Sequence, residues 1–379
     1  MRKEEPKCQK ICFLSNFLII GGVEKVLYDA LWFLHEKYDI EIILFDTEND
    51  KQFLETLPPD VKITIKPRPD SKFLKFCSKH PWIAGLYYNK ALGTKCEYDY
   101  LIVLRLSLIH AVYSKISKHK IFWNHTDYNR LFLSKLSFKQ KISKWLQKIV
   151  FEKFDSIWTV SDIIKDSDQK TFSLKNIHTL PNPINCEEIF KKSQESCDIT
   201  FDKNATNIVM LGRLSREKGF ERVIKMSGDI IEQNPNCHLY IIGGGKMEQF
   251  DKLVKEQGLQ NKITLVGAKI NPYPYLKQAQ LLICPSYFES FGLVMLEAML
   301  LKIRVISTAT SGGKYMTQNG KYGICVENND TALKKAIIDL LSDNENYPCS
   351  LEEAQHWAKT HDLGIFKNKL TGYLNEPQI

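Results

Sequence analysis

The sequence reads as α/β, with two doubly wound parallel sheets in tandem. Three features carry this reading. Short apolar runs alternate with segments of helical spacing along most of the chain. Those runs are apolar on successive residues, as in strands buried on both faces. A polar stretch at 181–206, with prolines near its start, divides the series into two halves, and 379 residues leave each half enough chain to bury a core.

The first half opens with an apolar run at 11–17, which predicts a strand. Gly21-Gly22 is the turn after it. Residues 24–36 predict a helix, with Val26, Leu27, Ala30, Leu31 and Leu34 on its inner face. Runs at 40–45, 61–65, 100–104, 120–123 and 156–160 continue the strands. The second half predicts strands at 207–211, 238–242, 262–266, 281–285, 304–308 and 323–326. Helices are expected between them at about 218–232, 247–257, 274–279 and 291–301. Two such sheets bind ligands outside the carboxyl ends of their strands, so a cleft between the two halves is the expected site.

Apolar residues make up 44% and charged residues 25%, which excludes a disordered chain, a collagen and a small disulfide scaffold. No apolar run reaches the roughly 18 residues of a membrane span. Charge is uneven: positions 62–148 hold 18 basic and 4 acidic residues, whereas the remainder is mildly acidic. A cationic region of this kind attracts phosphates, anionic lipid or nucleic acid. The 10 cysteines form no CxxC pair, which gives zinc and thioredoxin-type chemistry no support. Met1-Arg2-Lys3 before the apolar stretch 11–20 is faintly signal-like. No small-residue cleavage site follows, so it reads as a buried strand in a protein of the reducing cytoplasm.

Four places could carry chemistry. In Gly212-Arg213-Leu214-Ser215-Arg216-Glu217-Lys218-Gly219, Arg213 ends a strand and Lys218 opens a helix. Arg offers a planar fork to phosphate oxygens and Lys a mobile point charge, although a solvated loop would have the same composition. In the segment from Pro285 to Glu297, Glu289 and Glu297 are eight residues apart, a little over two helical turns. Ser290, Phe291, Gly292 and Leu293 would form a helix N-terminus suited to a diphosphate. Glu297 could accept from a ribose diol and Glu289 from sugar hydroxyls. Ordinary surface glutamates are the alternative, but Phe291–Leu301 is otherwise almost wholly apolar, and a charge there needs a partner. Gly21-Gly22-Val23-Glu24-Lys25 would let a ligand approach the backbone, or would simply turn the chain. His125 follows a strand directly, which points it at the expected cleft, though a structural histidine would fit there too.

Gly243-Gly244-Gly245-Lys246 and Gly312-Gly313-Lys314 lack the upstream glycine of a P-loop. The third glycine of the dinucleotide fingerprint, GxSxG and HExxH are all missing. Asp166-Ser167-Asp168 has metal-binding spacing but lies in a polar helical stretch away from any strand end.

Taken together, Gly21-Gly22-x-Glu24, His125, Gly212-Arg213 with Lys218, and Glu289-x7-Glu297 resemble the retaining GT-B glycosyltransferases of family 4, over nearly the whole chain. The resemblance implies two Rossmann-like domains facing a central cleft. It also implies a nucleotide-sugar donor, most often UDP-linked, and transfer with retained configuration. No cofactor and no metal are expected. Arg213 and Lys218 would then hold the donor diphosphate with Ser290, Phe291, Gly292, Leu293 and Gly22. Glu297 and Gly267 would contact the nucleoside. Glu289 and His125 would work at the sugar. The family often has Asp at Asn185 and Glu at Met316, so local donor selectivity could differ.

The expected domains are 1–190 on the acceptor side, 200–360 for the nucleotide sugar, and a segment 361–379 packing back on the first. Residues 132–154 predict a basic amphipathic helix. Phe138, Ile142, Trp145, Leu146 and Ile149 would line one face, flanked by Lys135, Lys139, Lys141, Lys144 and Lys148. Lys72, Phe73, Lys75, Phe76, Lys79 and Trp82 form a second basic and aromatic cluster. An anionic membrane surface suits this region, as does a core-packed helix with a solvated lysine face. No nucleic-acid motif is present. The expected acceptor is lipid-linked or a polysaccharide, in bacterial surface-glycan synthesis. A nucleotide-sugar 2-epimerase and an inert binding subunit of a glycosylation complex are the competing functions.

Overall fold

The first strand, β1 (Gln9–Ser15), buries successive residues on opposite faces: Ile11, Cys12, Phe13 and Leu14 are all fully enclosed. A strand buried on both sides must be covered by helices on both sides, and the chain supplies them. The computed structural model describes residues 9–18, 21–46, 49–67, 70–77, 80–128 and 137–375. After β1 come α1 (Gly22–Leu34), β2 (Tyr38–Leu44), α2 (Lys51–Glu55), β3 (Lys62–Ile65), α3 (Ser71–Cys77), α4 (Pro81–Leu92) and β4 (Tyr98–Val103). A 3-10 turn (Leu106–Tyr113), β5 (Ser117–Asn124), α5 (Phe138–Phe151), β6 (Ser156–Thr159), α6 (Asp162–Phe172) and β7 (Ile177–Thr179) complete the first series. The seven strands pair in the order β3-β2-β1-β4-β5-β6-β7, and every pairing is parallel.

The second series runs α7 (Cys186–Lys192), β8 (Thr206–Leu211), a 3-10 turn (Arg216–Lys218), α8 (Phe220–Gln233), β9 (Cys237–Ile242), α9 (Met247–Glu256), β10 (Ile263–Gly267), α10 (Tyr273–Leu276) and β11 (Leu281–Cys284). It continues with α11 (Leu293–Leu300), β12 (Arg304–Thr308), α12 (Ser311–Thr317), β13 (Ile324–Val326), α13 (Asp330–Ser342), α14 (Leu351–Lys359) and α15 (Leu363–Asn375). Its six strands are also all parallel, in the order β10-β9-β8-β11-β12-β13. Both sheets therefore carry the Rossmann-like order 3-2-1-4-5-6, the first with one strand added.

Two compact units result. One holds the residues up to Pro181 together with those from Lys367 onward; the other is Asn182–Phe366. The expected boundary at 190–200 thus falls earlier, and the expected linker is structured. Its few apolar residues decide this: Ile184 and Ile189 are buried, Ile184 bridges Asp362, and Asn271 Nδ2 donates to Lys192 O at 2.9 Å. The C-terminal residues return to the first unit from Lys367 rather than from 361. There Tyr100 Oη donates to Leu374 O at 2.6 Å and Tyr373 Oη to Thr179 O at 2.9 Å.

Candidate active site

Strand order in the second sheet reverses between β8 and β11, and ligands of such sheets bind beyond that point. The loop after β8 begins with Gly212, whose φ of 152° lies in the region that favours glycine, and carries Arg213 outward into solvent. The turn Arg216–Lys218 follows, and Gly219 (φ 65°) joins it to α8. A side chain on Gly219 would collide with the carbonyl of Pro285, so glycine there lets the loops after β8 and β11 touch. Tyr287 N seals the contact by donating to Glu217 O at 2.8 Å.

Across this junction Lys218 Nζ donates to Glu289 Oε2 at 2.6 Å, both side chains largely enclosed. Burial works against the ammonium, yet the charge and hydrogen bond of Glu289 prevail and hold its pKa above the ordinary lysine value. The thiol of Cys284 lies close enough to feel both charges. Burial, with the Glu289 charge, pushes it up to about 12, which leaves it unreactive.

The Glu289 loop is fixed from several sides. Arg222 is buried; its Nε donates to Asp330 Oδ1 at 2.6 Å, and its Nη1 to Pro285 O at 3.1 Å and Asn328 Oδ1 at 2.7 Å. Gly312 N donates to Glu289 O at 2.8 Å, and any side chain on Gly312 would meet the Phe291 carbonyl and the Glu289 side chain. Helix α11 starts at Leu293 behind Gly292, so Ser290 and Phe291 belong to the preceding loop and not, as expected, to the helix terminus. The reason is Gly292, whose φ of 89° breaks helical geometry just before Leu293. Phe291 is buried and packs 5.5 Å from the Tyr315 ring. Glu297, inside the apolar helix, has the partner its position demanded: Tyr273 Oη donates to its Oε1 at 3.1 Å. Gly267 closes β10 with a φ of 83° and open space where a side chain would stand. Among the described residues no group of three or more His, Cys, Asp or Glu is placed to hold a metal ion.

The first unit repeats the arrangement. Its strand order reverses between β1 and β4. Glu24, in the first turn of α1, is buried there and paired with Arg105 from the β4 loop, and the guanidinium lies 5.0 Å from the Phe17 ring. Gly22 is exposed as the first residue of α1, so the helix starts two residues before the expected position. His125 follows β5 directly and is buried, its ring 5.0 Å from that of Trp123.

Residues 192–360 of the chain match the family described as glycosyl transferases group 1, and residues 20–188 match glycosyltransferase family 4. The chain belongs to the family 4 glycosyltransferases. Among its relatives is the Campylobacter jejuni N-acetylgalactosamine-N,N'-diacetylbacillosaminyl-diphospho-undecaprenol 4-alpha-N-acetylgalactosaminyltransferase. It is 25% identical, across 93% of this chain and 96% of its own. An uncharacterized glycosyltransferase of Haemophilus influenzae is 24% identical over 94% and 96%. The structure of Anabaena Alr3699/HepE, solved with UDP and glucose, superposes with a TM-score of 0.71 at 16% identity, across 97% of this chain and all of that one. The fold is GT-B, and the protein is a glycosyltransferase.

Seen as a family 4 glycosyltransferase, the chain explains its two departures locally. Asn185 caps α7 by accepting from Glu188 N at 3.1 Å, and Met316 is fully buried in α12. Sequence reasoning missed Tyr273, Arg222 and Arg105, none of which stands in a recognisable motif, and it weighed Gly312 only as part of a failed P-loop match; only the demand for a Glu297 partner hinted at one of them.

The basic helix departs from expectation. Residues 132–136, Lys79 and the side chains of Lys75 and Trp82 fall outside what the structure describes. In α5 the expected single apolar face is two. Leu146, Val150 and Phe151 are buried, whereas Phe138, Ile142 and Trp145, spaced four and three residues apart, face solvent. The apolar arc is wider than the stripe the sheet can cover.

Proposed function

We propose that this glycosyltransferase moves a sugar from a UDP-linked donor, with retained anomeric configuration, to a lipid-linked glycan acceptor in the assembly of a bacterial surface polysaccharide. The observation that carries the reading is the Lys218–Glu289 contact across the β8/β11 reversal, with Arg213 exposed beside it. A diphosphate needs cations and amides at such a point, and a sugar needs a carboxylate next to them. In this reading Arg213 and Lys218 take the diphosphate with Gly292, Leu293 and the loop amides of Ser290 and Phe291, and no metal is required. Glu297 holds the ribose, and Gly267 leaves room beside it for the base. Glu289 orients the donor sugar. His125 and Gly22, from the other unit, meet the sugar and the diphosphate. The C1–O bond to the diphosphate breaks, the acceptor oxygen bonds to C1, and the acceptor proton leaves with the diphosphate.

The relatives support the reading by what their names state: the Campylobacter protein acts on a diphospho-undecaprenol-linked substrate, and the Anabaena structure holds UDP and glucose. A lipid-held acceptor also suits the solvent-facing apolar residues of the lysine-rich α5, which would seat the enzyme on the inner face of an anionic membrane. The test is a screen of UDP- and GDP-sugars for slow donor hydrolysis, followed by NMR of the transfer product. A retained anomer from a UDP-sugar is expected. Release of an epimerised sugar from donor alone would favour the 2-epimerase and overturn the reading. Binding of UDP without hydrolysis or transfer would favour the inert subunit.

A further inference from the structure

The backbone at His125 is set by a buried amide. Asn124, the last residue of β5, is 1% exposed, and its Oδ1 accepts from Thr126 N at 2.9 Å. A side-chain oxygen bonded to the amide two residues on closes an Asx turn, and His125 is the residue at the centre of that turn. The other end of the same amide is held too: Asn124 Nδ2 donates to Asp168 Oδ2 at 2.9 Å. Asp168 is 3% exposed and stands on α6, 44 residues further along the chain.

The chemistry of this contact is directional. An ionised carboxylate only accepts, so it must face the NH2 end of the Asn124 amide. That leaves the oxygen end for Thr126 N. Asp168 thereby chooses between the two orientations of an amide that is otherwise nearly symmetric in shape. A second neighbour completes the enclosure: Tyr128 is buried within reach of the Asp168 charge. The sequence offered Asp166 and Asp168 only as an acidic pair of metal-binding spacing. The structure separates them, burying Asp168 against β5 and leaving Asp166 on the outer side of α6.

We infer that Asn124 and Asp168 are positioning residues for His125, a brace that aims the imidazole at the sugar through the turn between β5 and α5. The inference rests on the sugar-side role of His125 in the proposed function. Reactions of this kind are sensitive to placement: a displacement of 1 Å can cost about a hundredfold in rate.

The brace can be reversed without changing its atoms in number or its charge. In the double variant N124D/D168N, the carboxylate at 124 accepts from Thr126 N and from the amide at 168, so both hydrogen bonds re-form. N124D alone sets two carboxylates against each other, and D168N alone removes the orientation preference. Turnover of the UDP-sugar found in the donor screen is measured for all three, with UDP affinity and thermal midpoint. N124D is expected to lower kcat by about 30- to 100-fold and D168N by less. UDP affinity should stay unchanged, because Arg213, Lys218 and Glu297 stand in the other compact unit. The double variant should recover most of the loss. The same N124D change is then made on H125A, where it should add nothing to the loss already present.

If H125A itself turns over at the wild-type rate, the sugar-side role of His125 fails and the brace fails with it. If H125A is crippled but N124D, folded with an unchanged thermal midpoint, works normally, the brace alone is overturned. If N124D fails to fold while the double variant folds and is inactive, the brace is likewise overturned, because its hydrogen bonds are then present without their effect.

Discussion

Lys218 Nζ and Glu289 Oε2 lie 2.6 Å apart, so the cation proposed for the donor diphosphate is already engaged by the carboxylate proposed for the donor sugar. The two loops that bring them together come from β8 and β11, strands separated by some seventy residues in sequence, and neither loop could close on the other without Gly219. The pair keeps a largely enclosed charge from standing alone.

A sign prediction comes from this competition. Glu289→Gln removes the charge that engages Lys218, so UDP should bind as tightly as in wild type or more tightly, while kcat for transfer falls by about a hundredfold or more. Lys218→Ala should weaken UDP binding by about 1.5–3 kcal/mol, the range for a hydrogen bond to a charged group. Calorimetric titration with UDP and steady-state kinetics on both variants check this. Weaker UDP binding in the glutamine variant would mean that Glu289 supports the nucleotide directly.

Tyr273 is the partner of Glu297, and its effect should be confined to the nucleoside. Tyr273→Phe deletes one hydroxyl and leaves a buried carboxylate with one donor fewer. UDP affinity should fall by about tenfold, equivalent to roughly 1.4 kcal/mol, with stability lowered by about 1–3 kcal/mol. Comparing UDP with its 2'-deoxy analogue separates the causes. If Glu297 reads the ribose diol, the variant should narrow the preference for UDP over the deoxy compound. An unchanged preference would remove Glu297 from the ribose.

Stability should decline in mild acid because of His110. This residue is buried in the 3-10 turn Leu106–Tyr113, and burial pushes its imidazole down from 6.5 to about 4. Between those values the unfolded chain takes up a proton that the folded chain refuses. The contribution is therefore complete above pH 6.5 and lost as pH falls towards 4, amounting to roughly 3 kcal/mol over that window. His238, lowered by burial and by Lys262, adds a slope of the same sign. Urea unfolding at pH 7 and pH 5 should show a smaller loss for His110→Gln than for wild type. Equal losses would mean that His110 protonates without penalty in the folded chain.

Much of the architecture was legible in the residues, and the exceptions have physical causes. Strands such as β1 and β11 are continuous apolar runs, which only a sheet covered on both faces requires. Helix α2 is too short and too polar to show a helical period, whereas α5 and α10 overlap the helices expected at 132–154 and 274–279. The segment after Pro181 reads as a linker because its charge hides Ile184, Ile189 and Phe201, and burial of a few scattered side chains among many polar ones leaves no periodic signal. In the site, charged residues at strand ends could be found because function needs those types there. Arg222, Tyr273, Asn124 and Asp168 could not, since each acts by touching a residue far away in sequence, and only the fold supplies that neighbour.

The solvent-facing side of α5 makes the last prediction. Phe138, Ile142 and Trp145 are 78%, 43% and 60% exposed, while Leu146, Val150 and Phe151 on the adjoining side of the helix are buried. Lys139, Lys141, Lys144 and Lys148 flank the exposed stripe, and Ser137 and Gln140 form a capping box that secures the helix where the stripe begins. Three large apolar groups kept in water are unfavourable at roughly 25 cal/mol per Å². Each lysine adds about 1 kcal/mol near an anionic surface. The wild-type protein should therefore float with anionic vesicles and only weakly with neutral ones, with a blue shift in Trp145 emission on binding. F138S/W145S should abolish flotation while leaving turnover of a water-soluble acceptor intact, because neither side chain belongs to the site. Replacing the four lysines with glutamine should remove the preference for anionic lipid but keep residual binding through the apolar stripe. Equal recovery of wild type in the soluble fraction with both vesicle types would refute membrane seating through this helix.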